Sequence, residues 1–153
     1  MIKVEVVFQE KKWLKKIRNI EFFFNYLCKS FPKKYRFLNK KLSLTLLLSN
    51  NKNIKKLNKR FRNKDKPTDI LSFPFETKIK KKKQSYIGDI IISYNFMDKP
   101  KNQSLVLFKE KVIKTFIHGF LHLLGFDHIK LKDYNKMLKE EQKIYQSIIE
   151  KIN

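Results

Sequence analysis

The stretch "FKEKVIKTFIHGFLHLLGFDH", Phe108 to His128, decides how this sequence is read. Phe108, Val112 and Phe116 recur at every fourth position, so a helix lines them along one face and marks that face for burial. The pattern predicts a helix from about Gln103 to Leu124. Gly125 ends it, because glycine accepts the left-handed backbone on which many helices stop. His118, His122 and His128 are all the histidines the chain has. The first two are four residues apart, which on a helix puts their Cβ atoms roughly 5–6 Å from each other. The turn at Gly125 lets the chain fold back and offer His128 beside them. Three imidazoles suit Zn²⁺ and leave a fourth position for water or substrate, as in catalytic sites. A structural zinc more often takes four ligands, commonly cysteines, and the single Cys28 lies far upstream.

A helix with one apolar face needs a surface to pack on, and the rest of the chain supplies strands. "IKVEVVF" (2–8), "LSLTLLL" (42–48), "TDILSFPF" (68–75) and "YIGDIIIS" (86–93) read as four of them. The last two suit an antiparallel hairpin joined by a lysine-rich loop holding "KIKKKK" (78–83), with Pro74 at an edge or a strand end. Between the strands, "EKKWLKKIRNIEFFFNYLCKSF" (10–31) has helical spacing through Trp13, Ile17, Ile20 and Phe24. Ser49 and Asn50 are placed to cap a basic helix near 51–60. The closing "LKDYNKMLKEEQKIYQSIIEKI" (131–152) is amphipathic, with Leu131, Met137, Ile144 and Ile148 as inward positions. The expectation is an α+β fold: one domain over residues 1–153, a mixed sheet packed with helices, and a zincin-like three-histidine metal site.

Of the 153 residues, 42% are hydrophobic and 14 are Phe, enough for a packed body. The formal charge of +22 permits a nucleic-acid partner and speeds encounter with polyanions. It does not prove one, since the excess is nearly all Lys, alongside abundant Asn, Ile and Phe, as A/T-rich codons would produce. Arginine occurs only at 18, 36, 60 and 62. No apolar run reaches the ~18–20 residues that span a bilayer. The first residues lack the pattern of a signal peptide, and one cysteine fits a reducing compartment, so the cytoplasm is expected.

The histidine spacing invites comparison with HExxHxxGxxH zinc proteases, whose glutamate takes a proton from the metal-bound water. Gly119 stands at that position, which keeps the metal cage but removes the base. Phosphodiester cleavage fits better: a metal can polarise a phosphoryl oxygen, and a guanidinium can steady the anionic transition state. Arg60 and Arg62 are candidates for that guanidinium. Asp127 has three open roles, as a fourth ligand, an outer carboxylate or a turn residue, and Asp89 is an outer-shell candidate or a plain strand residue.

"HGFLHLLGFDH" (118–128) and "FRNKDKPTDILSFPF" (61–75), with "IGDIIIS" (87–93) between them, closely resemble the hallmarks of the YbeY family of bacterial rRNA-maturation endoribonucleases. In the trailing "DYNKMLKEE" (133–141), Met137 and Glu141 keep a family-like M-x3-E spacing, so the resemblance covers about residues 55–141. It implies a metal-dependent endoribonuclease of the cytoplasm that cuts single-stranded RNA, processing the 3′ end of 16S rRNA and serving ribosome quality control. His118, His122 and His128 match the metal ligands, for one Zn²⁺ per chain, and Arg62 matches an arginine implicated in activity. Phe126 stands where the family often has Tyr. The implied partners are rRNA and the ribosome or its small subunit, with no membrane or DNA. Two other classes compete: a ribosome-associated RNA-binding assembly factor with a structural metal, and a zincin-like hydrolase of a non-RNA substrate.

Overall fold

The strands alternate side chains between two faces, and their larger apolar sets all point the same way. The computed structural model describes residues 1–75 and 84–152. Strands β1 (Ile2–Phe8), β2 (Lys41–Ser49), β3 (Ile70–Pro74) and β4 (Gln84–Ser93) form one mixed sheet in the order β1-β2-β4-β3. β2 runs parallel to both β1 and β4, while β3 pairs antiparallel with β4 as the expected hairpin. The connection carrying the lysine run 78–83 lies outside the described residues. Pro74 ends the edge strand, where its missing N–H costs no ladder bond. The helices are α1 (Trp13–Lys16), α2 (Ile20–Lys29), α3 (Asn51–Arg62), α4 (Tyr94–Met97), α5 (Leu105–Leu123) and α6 (Leu131–Ile152), giving the α+β architecture expected from sequence.

One face of the sheet carries the main core. Val4, the four leucines 42, 44, 46 and 48, Ile90 and Ile92 meet Trp13, Phe24, Phe108, Phe116 and Phe120 there. Phe24 and Phe116 lie 5.1 Å apart between ring centroids, and Phe31 and Phe120 lie 5.0 Å apart. Among the described residues, the opposite face has a small buried cluster in which Ile54 of α3 meets Leu71 and Ile91. The free edge of β1 is blocked by Asn25, whose amide accepts from Val4 N–H at 2.9 Å and donates to Val4 C=O at 3.0 Å. A side chain thus replaces the next strand.

Two expectations need correction. The helix expected over residues 10–31 is broken: Ile17 is extended and Asn19 is left-handed, a conformation its short polar side chain tolerates. The break lets Trp13 and Ile17 turn inward as well as Ile20 and Phe24, and frees the Trp13 indole N–H to reach Ser49 C=O at 3.0 Å. Leu131 is 77% exposed, because the inward stripe of α6 is set by Met137, Glu140, Ile144 and Ile148, and Leu131 is out of phase with it. Asn50 does cap α3, accepting from Asn53 N–H at 2.9 Å. No helix of the described residues is long and apolar enough to cross a membrane.

Candidate metal centre

Helix α5 starts at Ser104, whose hydroxyl accepts from Leu107 N–H at 3.2 Å, and its apolar face lies on the sheet. Near its end it approaches β3 so closely that a Cβ on Gly119 would sit 2.7 Å from Ile70 Cδ1 and 3.1 Å from Ser72 Oγ. Position 119 therefore faces the sheet, and a side chain there would have to displace Ile70. The close approach of the helix to the strand favours glycine where the proteases carry their base.

The helix ends on a Schellman turn. Gly125, at φ +97°, donates its N–H to His122 C=O at 3.0 Å, and Phe126 donates to Leu121 C=O at 3.0 Å. Nothing lies within 4 Å of a Cβ at Gly125, so the glycine is there for its backbone angle. The turn aims Phe126 C=O back at the helix, where it accepts from His122 Nδ1–H at 2.9 Å. A carbonyl can only accept, so His122 is protonated on Nδ1 and its Nε2 lone pair is free. Glu141 on α6 does the same for His118, with its carboxylate 2.6 Å from His118 Nδ1.

The Nε2 atoms of His118 and His122 then face each other at 3.1 Å. His128 joins them, its ring centroid 5.4 Å from that of His118 and 4.9 Å from that of His122. One nitrogen from each ring lies within 4.8 Å of the others, so the three side chains can hold a metal ion. Around a tetrahedral ion with bonds of about 2.0–2.1 Å, donor atoms stand roughly 3.3–3.4 Å apart, close to what His118 and His122 already show. Burial, and the neighbouring His118 ring, push the His122 pKa below its ordinary value, which favours the neutral imidazole that ligates. The donor set, its spacing and its outer hydrogen bonds all fit a divalent cation.

The other candidates separate. Asp127 accepts from His128 N–H at 2.7 Å and so serves the turn rather than the metal cluster. Asp89 is on the far face of the sheet, bonded to the Tyr86 hydroxyl. A bulge puts it there: the register shifts between Ser43 and Leu44, Ile87 is the extra residue, and Gly88, at φ +139°, closes against Phe73 C=O. Asp89 is therefore no outer-shell partner of the histidines. Arg60 stacks over Phe61, 5.2 Å from its ring centroid. Arg62 is the last residue of α3, exposed and, among the described residues, without a hydrogen bond or ion pair. Left-handed Asn63 stops the helix after it, and Asn58 holds the loop to β3 by donating to Lys66 C=O at 2.8 Å. The structure thus joins the three histidines directly, and ties Arg62 to them only through the loop into the strand beside α5.

Sequence reasoning gave Glu141 no role. Its signal is present all the same: a carboxylate within a turn of Met137 and Ile144, on the inward side of an amphipathic helix.

The family model for endoribonuclease YbeY matches residues 6–149. The chain belongs to the YbeY family. The match runs from β1 into the last turn of α6, well beyond the segments that first suggested the resemblance. The endoribonuclease YbeY of Pelagibacter ubique is 64% identical over 152 residues, 99% of each chain. That of Persephonella marina is 37% identical over 108 residues, 70% of this chain and 71% of that one. The solution structure of TM1509 from Thermotoga maritima superposes with a TM-score of 0.57 at 25% identity, covering 97% of this chain and 89% of the other.

Proposed function

We propose that this protein is a zinc-dependent endoribonuclease that cuts single-stranded RNA, residues 1–153 acting as one catalytic domain. Its natural target is the 3′ end of 16S rRNA on the small ribosomal subunit, and its setting is ribosome quality control in the cytoplasm. The observation that carries this reading is the convergence of His118, His122 and His128 in a chain of the YbeY family.

A bound Zn²⁺ supplies Lewis-acid chemistry at a phosphoryl oxygen. The protein's own groups do the rest. Glu141 and the Phe126 carbonyl hold His118 and His122 in the tautomer that presents Nε2. Arg62, unpaired among the described residues, is free to donate bidentate hydrogen bonds to the phosphoryl oxygens as negative charge builds on them. Lys52, Lys55, Lys56 and Lys59, on the same helix, draw in the RNA backbone. Gly119, packed against Ile70, favours this reading over a zincin-type peptidase, since the chain has no carboxylate at that position.

The test is cleavage of an end-labelled single-stranded RNA by the zinc-loaded protein, with His122→Ala and Arg62→Ala purified identically. Cleavage by the wild type alone supports both roles, and end-group analysis of the products tells water from the 2′-hydroxyl as nucleophile. Equal cleavage by His122→Ala overturns the reading. Tight rRNA binding without cleavage points instead to an assembly factor.

A further inference from the structure

Beside the histidines, α6 exposes a stripe of apolar side chains that nothing among the described residues covers. Leu131, Tyr134 and Leu138 are spaced three and four apart, so they share one side of the helix, and Ile129 stands just before it. Tyr134 is 49% exposed, and its ring lines a cleft of about 150 Å³ together with His118, His128, Met137, Leu138 and Glu141. The apolar stripe and the metal cluster therefore share one opening. That cleft is below the ~300–1,000 Å³ of an ordinary small-molecule pocket. It suits one planar ring. Exposed lysines at 130, 132, 136 and 139 surround the stripe, which favours a polyanionic ligand over an apolar peptide.

We propose that this cleft is a nucleobase subsite: the base of the nucleotide next to the cut stacks on Tyr134, with Leu138 and Met137 as its apolar floor, while its phosphate lies at the three histidines. The inference deepens the endoribonuclease reading and rests on it. Stacking on an aromatic ring is how single-stranded RNA is most often held, because every base has a π-face whatever its sequence. Tyr134 is thus a positioning residue. It sets how the RNA enters without joining the reaction, and its loss acts on KM more than on kcat.

The test uses the zinc-loaded full-length chain, an end-labelled RNA, and the same RNA with an abasic nucleotide beside the cut. Tyr134→Ala is expected to raise KM about 5- to 100-fold on the intact RNA and to leave Tm unchanged, since the side chain is half exposed. Tyr134→Phe keeps the wild-type KM, Tyr134→Leu does not, and on the abasic RNA all four proteins behave alike. A Tyr134→Ala protein with wild-type KM on the intact RNA overturns the subsite while leaving the endoribonuclease reading intact. So does a Tyr134→Phe protein as impaired as Tyr134→Ala, which would assign the effect to the hydroxyl. Failure of the wild type itself to cut overturns the underlying reading and the subsite with it, and the unsubstituted control makes that case distinguishable.

Discussion

The two faces of the sheet are built on different scales. On one, β1, β2 and β4 bury a continuous apolar surface against α2 and α5, with Trp13 and a set of fully buried phenylalanines filling the gap. On the other, α3 rests on Leu71 and Ile91 through Ile54, and polar or charged side chains such as Thr45 and Asp89 occupy the strand positions beyond. The dense face holds the histidines; the sparse face carries Arg62. Rigid packing suits a cluster whose nitrogens must stay within a few tenths of an ångström of their places. In the reaction proposed above, a lightly held helix would let Arg62 close on a phosphate.

The comparison is most easily broken by paired truncations. Phe120→Ala, on the dense face, is expected to cost about 3–5 kcal/mol, and Ile54→Ala, in the three-residue cluster, about 2 kcal/mol. Denaturant midpoints at constant slope measure both. Equal losses would mean that the faces are equally structured. Ile54→Ala should also lower cleavage while leaving zinc affinity at the wild-type level, because only the Arg62 helix loosens.

The next effect lies on the helix that backs the cluster. Glu140 is buried and accepts from the Tyr35 hydroxyl at 2.5 Å, from Lys34 at 3.1 Å and from Lys143 at 3.2 Å. The Tyr35 hydrogen bond, helped by the two ammonium groups, holds its carboxyl at about 2, against an ordinary 4.5. A pKa lowered on folding means that the ionised form stabilises the fold. The stabilisation is full above about pH 4.5 and disappears as pH falls toward 2. Glu140→Gln is therefore expected to be about 2 kcal/mol less stable at pH 7 and to converge with the wild type near pH 2, in unfolding curves taken at several pH values.

Glu141, one residue on, sharpens the contrast between fold and site. Its carboxylate holds the His118 tautomer but is not part of the core, so Glu141→Ala should weaken zinc binding about 10- to 100-fold in a chelator competition, with the metal-free Tm nearly unchanged. A large fall in metal-free Tm would make Glu141 a structural residue instead.

Much of this was legible in the sequence because it is periodic. The strands, the stop at Gly125 and the convergence of His118, His122 and His128 all follow from spacing along one segment. What was not legible depends on contacts between segments. The reach of Glu141 to His118 spans the turn and half of α6, and the break at Asn19 answers the demand of Trp13 for a partner on Ser49. The position of Leu131 was misread because one apolar residue at a helix start does not fix the phase of the inward stripe. Gly88 was invisible as a bulge, since its need for glycine comes from Phe73 on another strand.

That bulge leads to the smallest expected effect, and it is the one that tests the two faces most directly. Strict alternation from Ile87 inward would turn Asp89 toward α5, the helix that carries His118 and His122. The extra residue at Ile87 restores Ile90 and Ile92 to the dense core and sends Asp89 to the sparse face with Tyr86. Asp89→Asn should then leave zinc affinity unchanged. Its local consequence is confined to the Tyr86 phenol, whose pKa is raised by burial and by the hydrogen bond to Asp89, and should fall once that carboxylate is neutral. Ultraviolet titration of tyrosinate reads the second effect, and chelator competition reads the first. A loss of zinc affinity in Asp89→Asn would place this carboxylate on the histidine side and remove the distinction between the faces.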